Sequence, residues 1–318
     1  MGLTLAVRAI SRSLGNAGSE LNVSHLLIGV RYHDRFPPVA AEGKRQGEAR
    51  DESDRLFTGS IAEVYDTYLV PLIFEQYASD LAERTAALVP DAVLEIAAGS
   101  GVVTRAVAPM LEPGTRYVVT DLNRPMLETA ASKQPNPEPI EWQPADAVDL
   151  PFEDSSFDVV LCQFGVMFFP DRLGAYAEAR RVLRPGGAFI FNMWDRIEEN
   201  EFAHVVTRAV GEIFPDEPPG FLARTPHGQH DPDVFRSELG AVGFHDVSIE
   251  TLDATSAASG PEIPAIAYCQ GTPLRNEIEA HDAPDLEQVT ENVAIAIARD
   301  FGGGAVEGRI RAFIINAR

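Results

Sequence analysis

A chain of 318 residues, 45% of them hydrophobic, can bury one elaborated α/β core or two smaller ones. Its net charge of −22 argues against a nucleic-acid partner, which needs lysine and arginine on phosphates, and no apolar run reaches membrane-spanning length. The two cysteines, Cys162 and Cys269, have neither metal-ligand spacing nor the makings of a disulfide framework, so no metal is expected and a cytoplasmic setting fits.

The first nineteen residues hold two arginines and no acid. That composition leaves organellar targeting open beside the plainer reading of an extension. Residues 34–54 are polar, charged and linker-like, so residues 1–54 are read as a disordered or dispensable extension and 55–318 as the folded body. Residues 55–90 predict two leading helices separated at Pro71. VLEI, from Val93, predicts the first strand, followed by a glycine turn and a helix that Pro113-Gly114 stops.

Further on, RYVVTD (116–121), EPIEWQP (138–144), SFDVVLCQF (156–164) and AFIFNMW (188–194) read as strands. Helical patterns lie between several of them, and RPGG is a turn feeding the fifth. HDVSIETLD (245–253) and RIRAFIINA (309–317) complete seven strands, with a largely helical insert over 253–306. Strands alternating with helices predict an α/β, Rossmann-like, mostly parallel sheet with helices on both faces.

The stretch VLEIAAGSG (93–101) poses the functional question. Strand, glycine turn and helix form a cradle for a nucleotide-like ligand. A dinucleotide site wants a third glycine or alanine where this chain has Thr104, and has no need of the acid Glu95 before the glycines. Asp121, closing the second strand, suits a ribose diol under either reading, or caps the next helix.

Glu95, Gly99 and Gly101 resemble motif I of the class I S-adenosylmethionine-dependent methyltransferases, which departs here at Ala97, where the family generally has glycine. The similarity continues through Asp121 in VVTDLNRPML, Asp146 in PADAVDLPFEDSSFDVV and the RRVLRPGGAFIF turn, and is nearest to ubiquinone and menaquinone biosynthesis methyltransferases. It implies a class I methyltransferase fold, seven strands with only the last antiparallel, and S-adenosylmethionine as cofactor. It further implies that Asp121 and Leu122 meet the ribose region, that Met126 packs on the adenine, and that Asp146 and the Ala147 backbone read the adenine edge. Glu95, Ala97 and Gln163 belong on the methionine side of the ligand, and Tyr65 of the leading lid helices is expected to touch it. Taken alone, Asp146 is equally a turn residue.

Methyl transfer needs alignment and exclusion of water, and for some nucleophiles a base. His227 and His230 in TPHGQHD are candidates for base or substrate ligand, and the loop residues Phe164, Met167 and Phe168 for an apolar methyl-acceptor site. Each has a structural alternative, loop anchoring for the histidines and core packing for the others. The expected activity is methylation of a small, aromatic or quinone-like molecule. A nicotinamide-dependent oxidoreductase and a non-catalytic S-adenosylmethionine-binding protein are the rivals. Partners implied are the small molecule and, as one option, a second copy of the chain in a homodimer.

Overall fold

The computed structural model describes residues 60–135 and 140–318. The extension at 1–54, Phe57 of the leading segment, and the first two residues of the strand expected at 138–144 lie outside them.

The leading segment is one unbroken rod. α1 (Ser60–Val64) passes into a π-helical segment (Tyr65–Phe74) and then into α2 (Glu75–Ala86). The break expected at Pro71 does not occur. Proline lacks the N–H an α-helix needs and clashes with the preceding turn, and the wider π turns admit it. Tyr77, Ala78, Leu81 and Ala82 of α2 are buried against the sheet, so this half of the rod is core rather than cover.

Seven strands follow: β1 (Ala92–Glu95), β2 (Arg116–Asp121), β3 (Ile140–Pro144), β4 (Phe157–Gln163), β5 (Leu183–Trp194), β6 (Val247–Ala258) and β7 (Val306–Ala317). They form one sheet in the order β3-β2-β1-β4-β5-β7-β6. β1 to β5 pair in parallel, while β7 runs antiparallel to both β5 and β6, so the expected exception for the last strand is what is observed. Val159, Val160, Leu161 and Cys162 of β4 are all fully buried, because a central parallel strand is covered on both faces.

Two sequence expectations shift at their edges. The RPGG turn lies inside β5, where the register slips between Phe157↔Leu183 and Val159↔Ala188 and Gly186 takes φ +83°. β6 extends to Ala258 because its pairing with β7 continues from Asp253↔Arg311 to Ala258↔Val306, with Arg311 Nε 2.7 Å from the Asp253 carboxylate. The insert's helices therefore start later than 253.

The helices between β1 and β5 are α3 (Val102–Val107), α4 (Arg124–Lys133) and α5 (Arg172–Val182). Beyond β5 come α6 (Glu201–Ile213), α7 (Phe221–Arg224) and α8 (Pro232–Ala241). The insert holds α9 (Glu262–Gln270), α10 (Leu274–Glu279) and α11 (Leu286–Phe301). Gly271 and Pro273 lie between α9 and α10 and divide them. α11 begins with a reciprocal cap between Asp285 and Gln288. One apolar layer gathers α2, α6, α9 and α11 (Leu81, Val206, Cys269, Val293); the other centres on Tyr176, Phe189, Phe191 and Leu239. Among the described residues no helix is long and apolar enough to cross a membrane.

Candidate functional site

A cavity of about 540 Å³ opens where β1, β2, β4 and β5 end, the edge at which open α/β sheets take ligands. The turn after β1 forms its floor. Gly99 adopts φ +57° and its N–H donates to Asp121 Oδ2 at 2.8 Å, while the Asn123 N–H donates to Asp121 Oδ1 at 2.7 Å. Asp121 thus ties the end of β2 to the glycine turn. It does not cap α4, a role that falls to Asn123, which accepts from the Met126 N–H. Burial raises the Asp121 carboxyl above its ordinary value, and the two backbone donors oppose that rise.

Glu95 is 1% exposed. Its Oε2 accepts from Thr104 Oγ1 at 2.8 Å and from the Tyr117 hydroxyl, and its Oε1 has no partner among the described residues. Burial pushes this carboxyl up to about 7, against the lowering effect of the Tyr117 and Thr104 hydroxyls. Gln163 stands nearby in the same lining; its Nε2 donates to the Phe74 carbonyl at 3.3 Å and its buried Oε1 is likewise unpartnered. Two buried acceptor atoms of lining residues therefore have no hydrogen-bond partner among the described residues.

Ala97 stands at φ +53°, a region that L-residues other than Asn and Asp rarely occupy. The departure from glycine therefore keeps the turn's shape, at a cost of about 1 kcal/mol. A methyl at Gly165 would lie 2.7 Å from both the Ala97 Cβ and Cys162 Sγ. Gly165→Ala is accordingly expected to destabilise by about 1–3 kcal/mol, with Ala97→Gly in the same chain recovering part of the loss. Thermal unfolding of the single and double variants measures this coupling, and strict additivity would show that the two residues do not share the space.

Leu122, Met126, Asp146 and Ala147 line a second stretch of wall. Leu122 is 71% exposed, whereas Met126 is buried. Asp146 is exposed and its Oδ1 accepts from the Val148 N–H at 3.1 Å, the local turn that its alternative reading predicts.

The remaining wall is apolar and aromatic. Tyr65, Leu69, Ile73 and Phe74 come from the π-helical segment, Phe164, Met167 and Phe168 from the loop after β4, and Trp194 from the end of β5. Phe164 and Trp194 stack with ring centroids 3.9 Å apart and planes at 4°, and Tyr77 meets both edge-on at 5.3 Å. Phe164 holds φ +50°, a strained position for a bulky residue that the stack keeps in place.

His227 also lines this half and is 6% exposed. Its Nδ1 lies 2.8 Å from the Asp195 carbonyl oxygen, an atom able only to accept, so Nδ1 carries the proton and Nε2 a lone pair. Burial pulls its pKa down to about 4, which keeps the ring neutral.

The cavity therefore brings together Tyr65, Glu95, Ala97, Gly99, Asp121, Leu122, Met126, Asp146, Ala147, Gln163, Phe164, Met167, Phe168 and His227. Two expected members are elsewhere. Gly101, at φ +80°, starts α3 against α4, where an added Cβ would sit 2.7 Å from that of Ala130, so close helix packing explains this glycine. His230 bonds through Nδ1 to the His227 carbonyl at 3.0 Å and braces the loop from outside the cavity. Sequence reasoning missed Phe74, Trp194, Phe221, Leu222, Tyr268 and Thr272. Trp194 alone carried a signal, its place at a strand's carboxyl end. Among the described residues no group of three or more His, Cys, Asp or Glu side chains is arranged to hold a metal.

Residues 94–191 match a family described as a methyltransferase domain. Over 97 residues the chain is 37% identical to the demethylmenaquinone methyltransferase of Staphylococcus aureus strain JH9, an alignment covering 30% of this chain and 40% of that protein. The same figures hold for the enzyme of strain Newman, so the chain spans about 40% of the length of the curated relatives it matches. Among solved structures, the YcgJ protein of Bacillus subtilis shares 19% identity, with 76% of this chain and 97% of that chain covered and a TM-score of 0.49. An arsenic(III) S-adenosylmethionine methyltransferase of Chlamydomonas reinhardtii shares 20% identity, with coverage of 71% and 62% and a TM-score of 0.41.

Proposed function

We propose, on the premise that this chain carries a methyltransferase domain of the class I, S-adenosylmethionine-dependent kind, that it methylates a small aromatic or quinone-like molecule. One observation carries the reading: a glycine turn and three carboxylates, Glu95, Asp121 and Asp146, share a single cavity with an aromatic box. The donor set suits the cofactor. Asp121 retains free lone pairs for ribose hydroxyls, the unpartnered Oε1 atoms of Glu95 and Gln163 suit an ammonium, and Leu122 and Met126 supply apolar surface for a base.

S-adenosylmethionine, when bound, supplies an electrophilic methyl group. The chain's own contribution is to orient and to exclude water. The segment Tyr65–Phe74, held to β4 through Gln163, lines the aromatic half of the cavity. Tyr268 and Thr272 of the insert reach the same cavity, which supports assigning the choice of methyl acceptor to the insert. The quinone-like class draws on the aromatic box and on the demethylmenaquinone relatives.

Thermal-shift titration with S-adenosylmethionine, S-adenosylhomocysteine and NAD tests the cofactor, with stabilisation by the first two and none by NAD as the expected result. Labelled-methyl transfer to a panel of phenols, quinones and amines then tests the reaction. Stabilisation without transfer to any member would favour the non-catalytic binding protein, a reading to which the substitution at Ala97 lends its one support.

A further inference from the structure

The aromatic half of the cavity is sparing in polar atoms, and those it has are of a particular kind. No lysine or arginine lines the cavity among the described residues, and its carboxylates, Glu95, Asp121 and Asp146, belong to the β1, β2 and β3 ends. The opposite end offers His227 Nε2, a lone pair with no partner among the described residues, because Nδ1 already serves the Asp195 carbonyl. It also offers the hydroxyl of Tyr268, from α9 of the insert, a residue 4% exposed whose hydroxyl makes no hydrogen bond among the described residues. Asn200 and Thr272, two further polar residues here, are spent. Asn200 bonds the backbone of Asp195, Arg196 and Arg311, and Thr272 bonds Tyr268 and Leu274.

We infer that the methyl acceptor is an uncharged aromatic molecule bearing a ring hydroxyl, and that His227 Nε2 selects it by accepting that hydroxyl's hydrogen bond while Tyr268 bonds the same oxygen. The inference rests on the methyltransferase reading and gives it a substrate class. A neutral imidazole whose other nitrogen is tied to a carbonyl has only a lone pair to present. A molecule with no donor to meet it leaves a buried acceptor unpaired, a loss that translates into about 10–100-fold in affinity. An anionic molecule fares worse, since nothing cationic lines the cavity to receive it. The flat Phe164–Trp194 stack supplies a face for a planar ring beside His227, whose ring centroid lies 5.9 Å from that of Trp194.

Calorimetry on the full chain saturated with S-adenosylhomocysteine tests this without turnover. The probes are 1-naphthol, 1-methoxynaphthalene and 1-naphthoate, alike in ring and different in the group shown to His227. The expected order is naphthol at least 10-fold tighter than its methyl ether, with naphthoate weakest. His227→Asn keeps a side-chain N–H for the Asp195 carbonyl and removes Nε2, and is expected to collapse the naphthol-to-ether ratio to within about twofold. Tyr268→Phe is expected to reduce the same ratio in part. Equal affinities for naphthol and ether in the unaltered chain, or an unchanged ratio in His227→Asn, would overturn the inference, as would preference for naphthoate. S-adenosylhomocysteine affinity and unfolding temperature, measured on each variant, separate these outcomes from misfolding. Failure of the unaltered chain to bind S-adenosylhomocysteine would instead remove the methyltransferase reading, and the inference with it.

Discussion

Asp121→Ala is expected to weaken S-adenosylmethionine binding by about 100-fold or more, close to 3 kcal/mol. Two losses combine. The carboxylate proposed for the ribose hydroxyls disappears, and the N–H groups of Gly99 and Asn123, now 2.8 and 2.7 Å from its two oxygens, lose their acceptor. The second loss acts on the empty protein, which should unfold more easily by about 1–3 kcal/mol. Asp121→Asn separates the two effects, because its single carbonyl oxygen retains one of the backbone donors. Binding calorimetry and thermal unfolding on both variants provide the measurements. Undiminished affinity in Asp121→Ala would show that this residue holds the turn and nothing else.

Glu95→Gln should change how the protein responds to pH. The Glu95 carboxyl is raised from 4.5 to about 7 by burial, so folding favours its protonated form. The stability this group contributes is complete below about pH 4.5 and is lost as pH climbs through about 7. A displacement of that size corresponds to roughly 3 kcal/mol, which the unaltered chain should lose relative to Glu95→Gln between pH 4.5 and 8. With the cofactor's ammonium placed on this carboxylate, as proposed, affinity should rise over the same interval, with a proton released on binding at pH 6. Calorimetry in buffers of different ionisation enthalpy counts that proton. Glu95→Gln is expected to bind about 10-fold or more weakly at pH 8, and with little pH dependence. Identical affinity profiles for the two proteins would dissociate Glu95 from the ammonium.

The half of this cavity built on the glycine turn, for which cofactor binding is proposed, could be read from the sequence because it is local. Glu95, Ala97 and Gly99 follow one strand, Asp121 and Met126 the next, and their spacing carries the geometry. The aromatic half could not, since Phe74, Trp194, Phe221 and Tyr268 meet only when elements nearly two hundred residues apart pack together. Pro71 misled for a different reason: proline forbids an α-helix interior but not the wider winding found there. Gly101 and His230 show the converse failure. Each sits in a motif next to genuine lining residues, yet one is small so that α3 can lie against Ala130, and the other points its Nδ1 at a loop carbonyl. The sheet itself was the most legible part, its alternation of buried strands and amphipathic helices being written at a scale of a few residues.

Of the two tryptophans in the chain, Trp142 lies half-buried on β3, while Trp194 is 3% exposed with its indole pressed flat on Phe164 inside the cavity. The molecule thereby carries its own optical gauge. Anything that slips between the loop after β4 and the end of β5 must alter the surroundings of that one fluorophore, so occupancy can be followed by native emission, without labels.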